Sequence, residues 1–222
     1  MFKLTDRNRD MYHWAGVDIE LNLSFDNVLK IMELFDDETI SNKAKPNIAL
    51  LMLIVDHNLL NQLNWQGKEK LIIDIFKDKL NIDLMSDKKT NEMTEILEDP
   101  LNEEESPEIP VVNFTLDAEM IYASFLYDYN INLFEQQGIL QWGEFLALFN
   151  NLSEKTPMRT AIHYRTCEIP KKDKHNAEER KQIKKMKERY ELPEAKAIRE
   201  EMEYKAYLKR LEAQKRQVTS NG

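Results

Sequence analysis

Apolar residues recur at helical spacing along most of the chain, and most densely between residues 115 and 166. A first helix there starts at Thr115 or Asp117, both good N-caps, and places Ala118, Ile121, Tyr122, Phe125 and Tyr129 on one face. Gly138 tolerates positive φ and supplies a stop and a turn. A second helix runs from about Leu140 to Leu152, with Trp142, Phe145, Leu146, Phe149 and Leu152 on its apolar side. Thr156 before Pro157 reads as the N-cap and first position of a third helix. That helix carries Met158, Ala161 and Ile162 inward and Arg159, His163 and Arg165 outward. Helices this short are marginal alone and must bury their stripes. One reading of Phe125, Trp142 and Phe149 is therefore core packing. The other is an aromatic face that grips another protein, because Tyr, Trp and Arg anchor interfaces.

The N-terminal part has a different period. Val17, Ile19, Leu21 and Leu23 alternate with Asp18, Glu20 and Asn22, as in a half-buried strand over 17–23. Its partner is either Met1 to Leu4 or Met11 to Trp14. Ser24 then caps a helix with Phe25, Val28, Leu29, Met32 and Phe35 on its apolar side. Further helices are expected over Pro46 to Leu60 and over Gly67 to Leu80, the latter with Leu71, Ile72, Ile75, Phe76 and Leu80 apolar.

Residues 86–110 break the pattern. Nine acids face two lysines and three prolines fall near the end, so this stretch reads as a flexible acidic linker. From Lys171 onward the chain is highly charged. His175 or Asn176 opens a helix to about Glu191, and Pro193 either starts another or kinks the first. Ile198, Met202, Leu208 and Leu211 form a ragged stripe without a sustained heptad. This extension is either a solvated helix laced with i, i+4 charge pairs or an arm that folds on a partner. The expected fold class is mainly α. A helical unit with a strand or hairpin covers 1–85, the acidic linker 86–112, a three-helix unit 113–170, and an extended charged helical segment 171–222.

Charge sharpens this picture. The net charge is −9. Residues 171–217 hold 16 Lys/Arg and 10 Asp/Glu, a net of +6, so the remainder carries 15 positive and 30 negative charges, a net of −15. Such asymmetry argues for steering towards a partner or for self-association. One cysteine, Cys167, leaves no internal disulfide and fits a reducing compartment. The apolar run from Ile48 to Val55 is too short to span a bilayer. No secretory signal pattern is visible, and the host cytoplasm is the expected location.

The stretch from Asp117 to Arg165 also resembles a family of siphophage tail assembly chaperone-like proteins encoded in the tail gene cluster near the tape-measure gene. The matching residues are Asp117, Ile121-Tyr122-Ala123-Ser124-Phe125, Ile131-Asn132-Leu133, Gly138 with Leu140 and Trp142, Phe145 to Phe149, and Tyr164-Arg165-Thr166. Asn132 stands where the family usually has aspartate, and Gln141-Trp142-Gly143 replaces a typical H-W-W. The likeness is strong over about a quarter of the chain and weaker elsewhere, including LSFDNVLKIMEL. It implies a bacteriophage or prophage protein of virion morphogenesis. Such a protein holds the tape-measure protein, with the major tail protein as a further partner, while the tail tube polymerises. On this reading Tyr122, Phe125, Tyr129, Trp142 and Phe145 supply an apolar groove for helical segments, and Arg159, Tyr164 and Arg165 its polar rim.

Enzymatic chemistry is not expected. The five glycines build no phosphate-cradling loop, and no serine sits in a nucleophile elbow. The histidines are scattered singly. His163 with Cys167 is two ligands where structural zinc wants four. Asp18 and Glu20 share a polar strand face, which solvent explains as readily as a hard cation. No metal and no cofactor are expected. Two other functions compete with the chaperone. One is a structural tail or connector subunit retained in the particle. The other is an accessory factor that binds nucleic acid through the stretch from Lys171 to Arg216, where ten acids dilute the cations. Homo-oligomerisation is compatible with all three.

Overall fold

The computed structural model describes residues 11–82 and 109–220, with the side chains of 209 and 212–220 left aside. The described chain is mainly helical and carries one small antiparallel hairpin. It divides into two compact units: the residues up to 82 together with Glu119–Thr156, and the residues from 109 to 118 together with the chain from Pro157 onward. The stretch 113–170, expected as one three-helix unit, is thus shared between the two. Most of the acidic stretch expected as a linker lies outside the described residues.

In the first unit, β1 (Met11–Trp14) pairs with β2 (Val17–Glu20), with Tyr12 opposite Ile19. The two-residue turn between them has positive φ at Ala15 and Gly16, the geometry that suits strand twist. Of the strand expected over 17–23, the ladder takes residues 17–20. Ile19, Leu21 and Leu23 are buried, but Val17 is exposed, because it sits at the turn end of a two-stranded ribbon. Leu21 continues the strand by bridging to Ile54, and the Asn22 N–H donates to the Leu53 carbonyl at 2.7 Å. Side-chain hydrogen bonds hold the hairpin in place: the Tyr12 hydroxyl donates to Asp78 and the Trp14 indole N–H to Asp74, each at 2.8 Å. Burial, then the bond to the Asp78 carboxylate, push the Tyr12 phenol well above the usual tyrosine range.

Helix α1 (Phe25–Asp36) follows. Ser24 occupies its N-cap position, yet the hydroxyl donates to the Asn22 side chain instead of capping the helix. The fully buried positions are Phe25, Asn27, Val28, Ile31 and Leu34, so the core stripe differs from the expected one, in which Leu29, Met32 and Phe35 took the places of Ile31 and Leu34. Asn27 fixes this rotation, since its amide donates to the carbonyls of Asn22 and Met52 at 2.8 and 2.9 Å. Phe35 still packs edge-on against Phe76 at 5.5 Å.

The helix expected from Pro46 to Leu60 is broken into α2 (Lys45–Leu53) and α3 (Asn58–Gln62). Residues 54 and 55 turn extended to pair with the end of the strand, and the Val55 N–H donates to the Glu20 carbonyl at 3.0 Å. Helix α4 (Trp65–Ile75), capped by the Asn64 side chain on the Gly67 N–H, runs into a π-helical turn at Phe76–Leu80.

Two more helices complete this unit, α5 (Ala118–Tyr129, from Glu119 on) and α6 (Trp142–Asn150). Residues 140 and 141 do not enter α6 as expected. They bridge to the chain ahead of α1: the Phe25 N–H donates to the Leu140 carbonyl at 3.0 Å and the Trp142 N–H to the Leu23 carbonyl at 2.8 Å. Gly138 adopts the expected left-handed conformation, φ 72°, and its N–H donates to the Asp26 carboxylate at 2.8 Å.

The second unit holds α7 (Pro157–Thr166), α8 (Ala177–Tyr190) and α9 (Pro193–Ser220). Met158, Ala161 and Ile162 are buried as their spacing predicts. Pro193 opens a separate helix, which resolves the alternatives left by the sequence. The Lys187 ammonium donates to the Tyr164, Arg165 and Cys167 carbonyls at 3.2, 3.2 and 2.6 Å. A cation there satisfies the orphan acceptors of the end of α7.

Candidate functional site

The residues expected to form a groove fall into two groups. Phe125, Trp142 and Phe145 are buried. Phe145 is the hub: its ring stacks on Phe25 and Phe125, both at 5.1 Å, and on Trp142 at 5.5 Å. These rings are the core of the first unit and not an open groove. The reason lies in the pairing of residues 140–142 with 23–25, which lays α1 across the aromatic stripe of α6. Tyr122 and Tyr129 are half-buried. The Tyr129 hydroxyl donates to the Leu148 carbonyl at 2.9 Å, tying α5 to α6. Burial, aided by the neighbouring Asp128 carboxylate, raises its pKa.

The expected rim residues lie on α7 in the second unit. Tyr164 stacks flat on Tyr190, centroids 5.8 Å apart. The Arg165 side chain is buried and fully engaged: its guanidinium donates to both Asp117 carboxylate oxygens, at 2.6 and 2.7 Å, and to the carbonyls of Val111 and Tyr190. Asp117 also accepts from the Asn113 N–H at 3.0 Å. Tyr164 and Arg165 are therefore internal fastenings of this unit. The outward position expected for Arg165 failed because an Arg fork matches a carboxylate that is distant in sequence. Arg159 is half-buried on the same helix.

A different apolar surface is open on the first unit. Leu126 and Tyr127 project from α5, Tyr127 with 65% of its surface exposed. In the loop before α6, Ile139 is exposed and Phe134 is 70% exposed, its ring resting 5.2 Å from that of Tyr122. Tyr122 and Leu126 are one helical turn apart, so the Tyr122–Phe134 pair and Leu126 share a side of α5. Asn132 orders the loop beneath them: its Oδ1 accepts from the Phe134 N–H and its amide donates to Glu135. The sequence signal for this surface was weak. Leu126 and Tyr127 were not among the residues of the expected apolar face, Ala118, Ile121, Tyr122, Phe125 and Tyr129.

Among the described residues, no three His, Cys, Asp or Glu side chains converge as a metal site. Asp18 instead faces His13 across the hairpin at 2.8 Å. Cys167, half-buried, makes a long contact of 3.7 Å to the Tyr164 carbonyl. No described helix is long and apolar enough to cross a membrane.

The chain matches the family model described as Bacteriophage Gp15 protein over residues 4–192. That span covers well over half of the 222 residues, and the chain belongs to this bacteriophage protein family. No curated protein matches it, and no solved structure does.

Proposed function

We propose that this phage protein is a tail assembly chaperone that holds apolar helical segments of the tape-measure protein, without bond-making chemistry, in the host cytoplasm. The observation that carries the reading is the Tyr122–Phe134 ring pair with Phe134 exposed and Leu126 one turn along α5, together with the exposed Tyr127 and Ile139 of the same unit. An exposed aromatic ring resting on a half-buried one, on a loop ordered by Asn132, suits a binding surface. Membership of a bacteriophage family and the resemblance of residues 117–165 to tail-cluster proteins supply the partner class. The surplus of negative charge outside the C-terminal extension favours segments that carry Lys or Arg beside their apolar face.

Co-purification tests this directly. Tagged wild-type chain retains the tape-measure protein, and Phe134→Asp with Tyr127→Ser releases it while leaving the unfolding temperature unchanged. Equal retention by both would move the binding face elsewhere. The competing structural-subunit reading makes a separate prediction: mass spectrometry of purified particles would find the chain in ring-like copy number, whereas a chaperone leaves.

A further inference from the structure

The segment that carries the Tyr122–Phe134 ring pair holds carboxylates and no cation. Between residues 119 and 154 there are five acids, Glu119, Asp128, Glu135, Glu144 and Glu154, and no Lys, Arg or His, a net of 0 − 5 = −5. Asp128 is engaged by Ser153, whose N–H and hydroxyl both donate to it, and Glu144 accepts from the Gln141 N–H at the start of α6. Glu119 and Glu135 are exposed. Glu119, Tyr122 and Leu126 follow one another at i, i+3 and i+7, so they form one row along α5, about 10.5 Å long. Glu135 adjoins Phe134, and Asn132 sets both of them: its amide donates to the Glu135 carboxylate at 2.8 Å and its Oδ1 accepts from the Phe134 N–H at 3.1 Å. On α1, Lys30 is matched by its own acid, Asp26, at 3.0 Å, the carboxylate that also accepts from the Gly138 N–H.

From this arrangement we infer that the surface selects a cationic amphipathic helix, with a narrow apolar stripe for Tyr122, Leu126 and Phe134 and a Lys or Arg beside that stripe for each of Glu119 and Glu135. The inference rests on the binding reading given above and goes further, because it assigns the choice among apolar helices to two named carboxylates. Apolar contact is non-directional and by itself accepts any helix with a matching stripe. Exposed ion pairs add little affinity each, but like charges set opposite one another repel, and that difference discriminates between partners. A helix with acidic flanks is therefore rejected at the same apolar surface that takes a basic one.

The test uses the full chain and two labelled, Ala-rich peptides of about 18 residues, long enough to form a helix. Both carry the same Leu stripe, one with Lys and the other with Glu at the flanking positions. By fluorescence anisotropy the wild-type chain binds the Lys peptide about tenfold more tightly than the Glu peptide. The ratio shrinks at about 1 M salt, where the Debye length is about 3 Å. Glu119→Lys with Glu135→Lys turns the preference over to the Glu peptide. Glu188→Lys with Glu203→Lys, at exposed positions of α8 and α9, changes the net charge equally, from −9 to −9 + 4 = −5, and keeps the wild-type preference. Equal binding of both peptides by wild type, lost in Phe134→Ser with Leu126→Ser, overturns the charge selection and leaves apolar binding at this surface standing. A preference reversed as fully by the α8–α9 variant also overturns it, since net charge and not these two carboxylates then decides. Failure to bind either peptide overturns the inference as well, while retention of the tape-measure protein still tests the earlier reading.

Discussion

The Arg165 guanidinium grips the Asp117 carboxylate through two hydrogen bonds of 2.6 and 2.7 Å, with both side chains removed from solvent. Around the pair, Val111 and Tyr190 contribute carbonyls, so one side chain gathers the segment 109–118 and the end of α8 onto its own helix. Breaking such a pair from one side strands a buried charge, which costs about 3–5 kcal/mol. Arg165→Met therefore destabilises the second unit by about that amount in denaturant unfolding, and Asp117→Asn does so by less. Removing both charges together, Arg165→Met with Asp117→Leu, costs less than the sum of the single changes. A partner-binding role for Arg165 would instead leave the unfolding midpoint where it was.

The contrast between Phe145 and Phe134 separates core from surface. Phe145 touches four other rings, and Phe145→Ala costs about 3–5 kcal/mol. Phe134→Ser removes an exposed ring and stays within about 0.5 kcal/mol of the parent. Thermal or denaturant unfolding of the two variants checks both figures.

Gly138 makes a turn that side chains resist. A Cβ there would meet no atom within 4 Å, so the cost of Gly138→Ala is that of the backbone conformation at φ 72°, about 1–2 kcal/mol. Gly138→Asn costs less, since asparagine tolerates this region better. Unfolding midpoints in that order support the account, and an alanine variant equal to wild type would contradict it.

Acid weakens the same junction. Burial alone would raise the Asp26 carboxyl, but the Gly138 N–H and Lys30 at 3.0 Å outweigh it and hold its pKa below the ordinary 3.8. A carboxyl whose folded pKa lies below its unfolded one releases its proton more readily in the folded state. Its stabilisation is complete above the unfolded value and disappears as pH falls through the folded value. Stability of wild type measured against pH therefore declines on the acid side of 3.8, and Asp26→Asn flattens that part of the decline.

Much of the fold was legible because it is local. Helical spacing located α1, α4, α5, α6 and α7, a helix-opening residue at 175 or 176 located α8, and alternation located β2. What the sequence concealed is non-local. Residues 54 and 55 left a helical pattern because the strand end at Glu20 and Leu21 offered them backbone partners. The rotation of α1 depends on Asn27 reaching Met52, a contact that no periodicity encodes. The same limit governed the site. Aromatic spacing identified Phe125, Trp142 and Phe145 as important, but the choice between core and groove was made by segment 23–25 pairing with 140–142. Arg165 read as a surface cation because its carboxylate lies 48 residues away. Tyr127 and Phe134, off the stripe, became visible as a surface when the loop before α6 was placed.

The central claim is that this phage protein keeps the tape-measure polypeptide in solution by covering its apolar segments. The direct test is the fraction of tape-measure polypeptide in the soluble phase of cells that express it with and without this chain. The account predicts that most of it is soluble with the wild-type chain and that it aggregates with none, or with Phe134→Asp and Tyr127→Ser. A tape-measure polypeptide equally soluble in all three cases would contradict it.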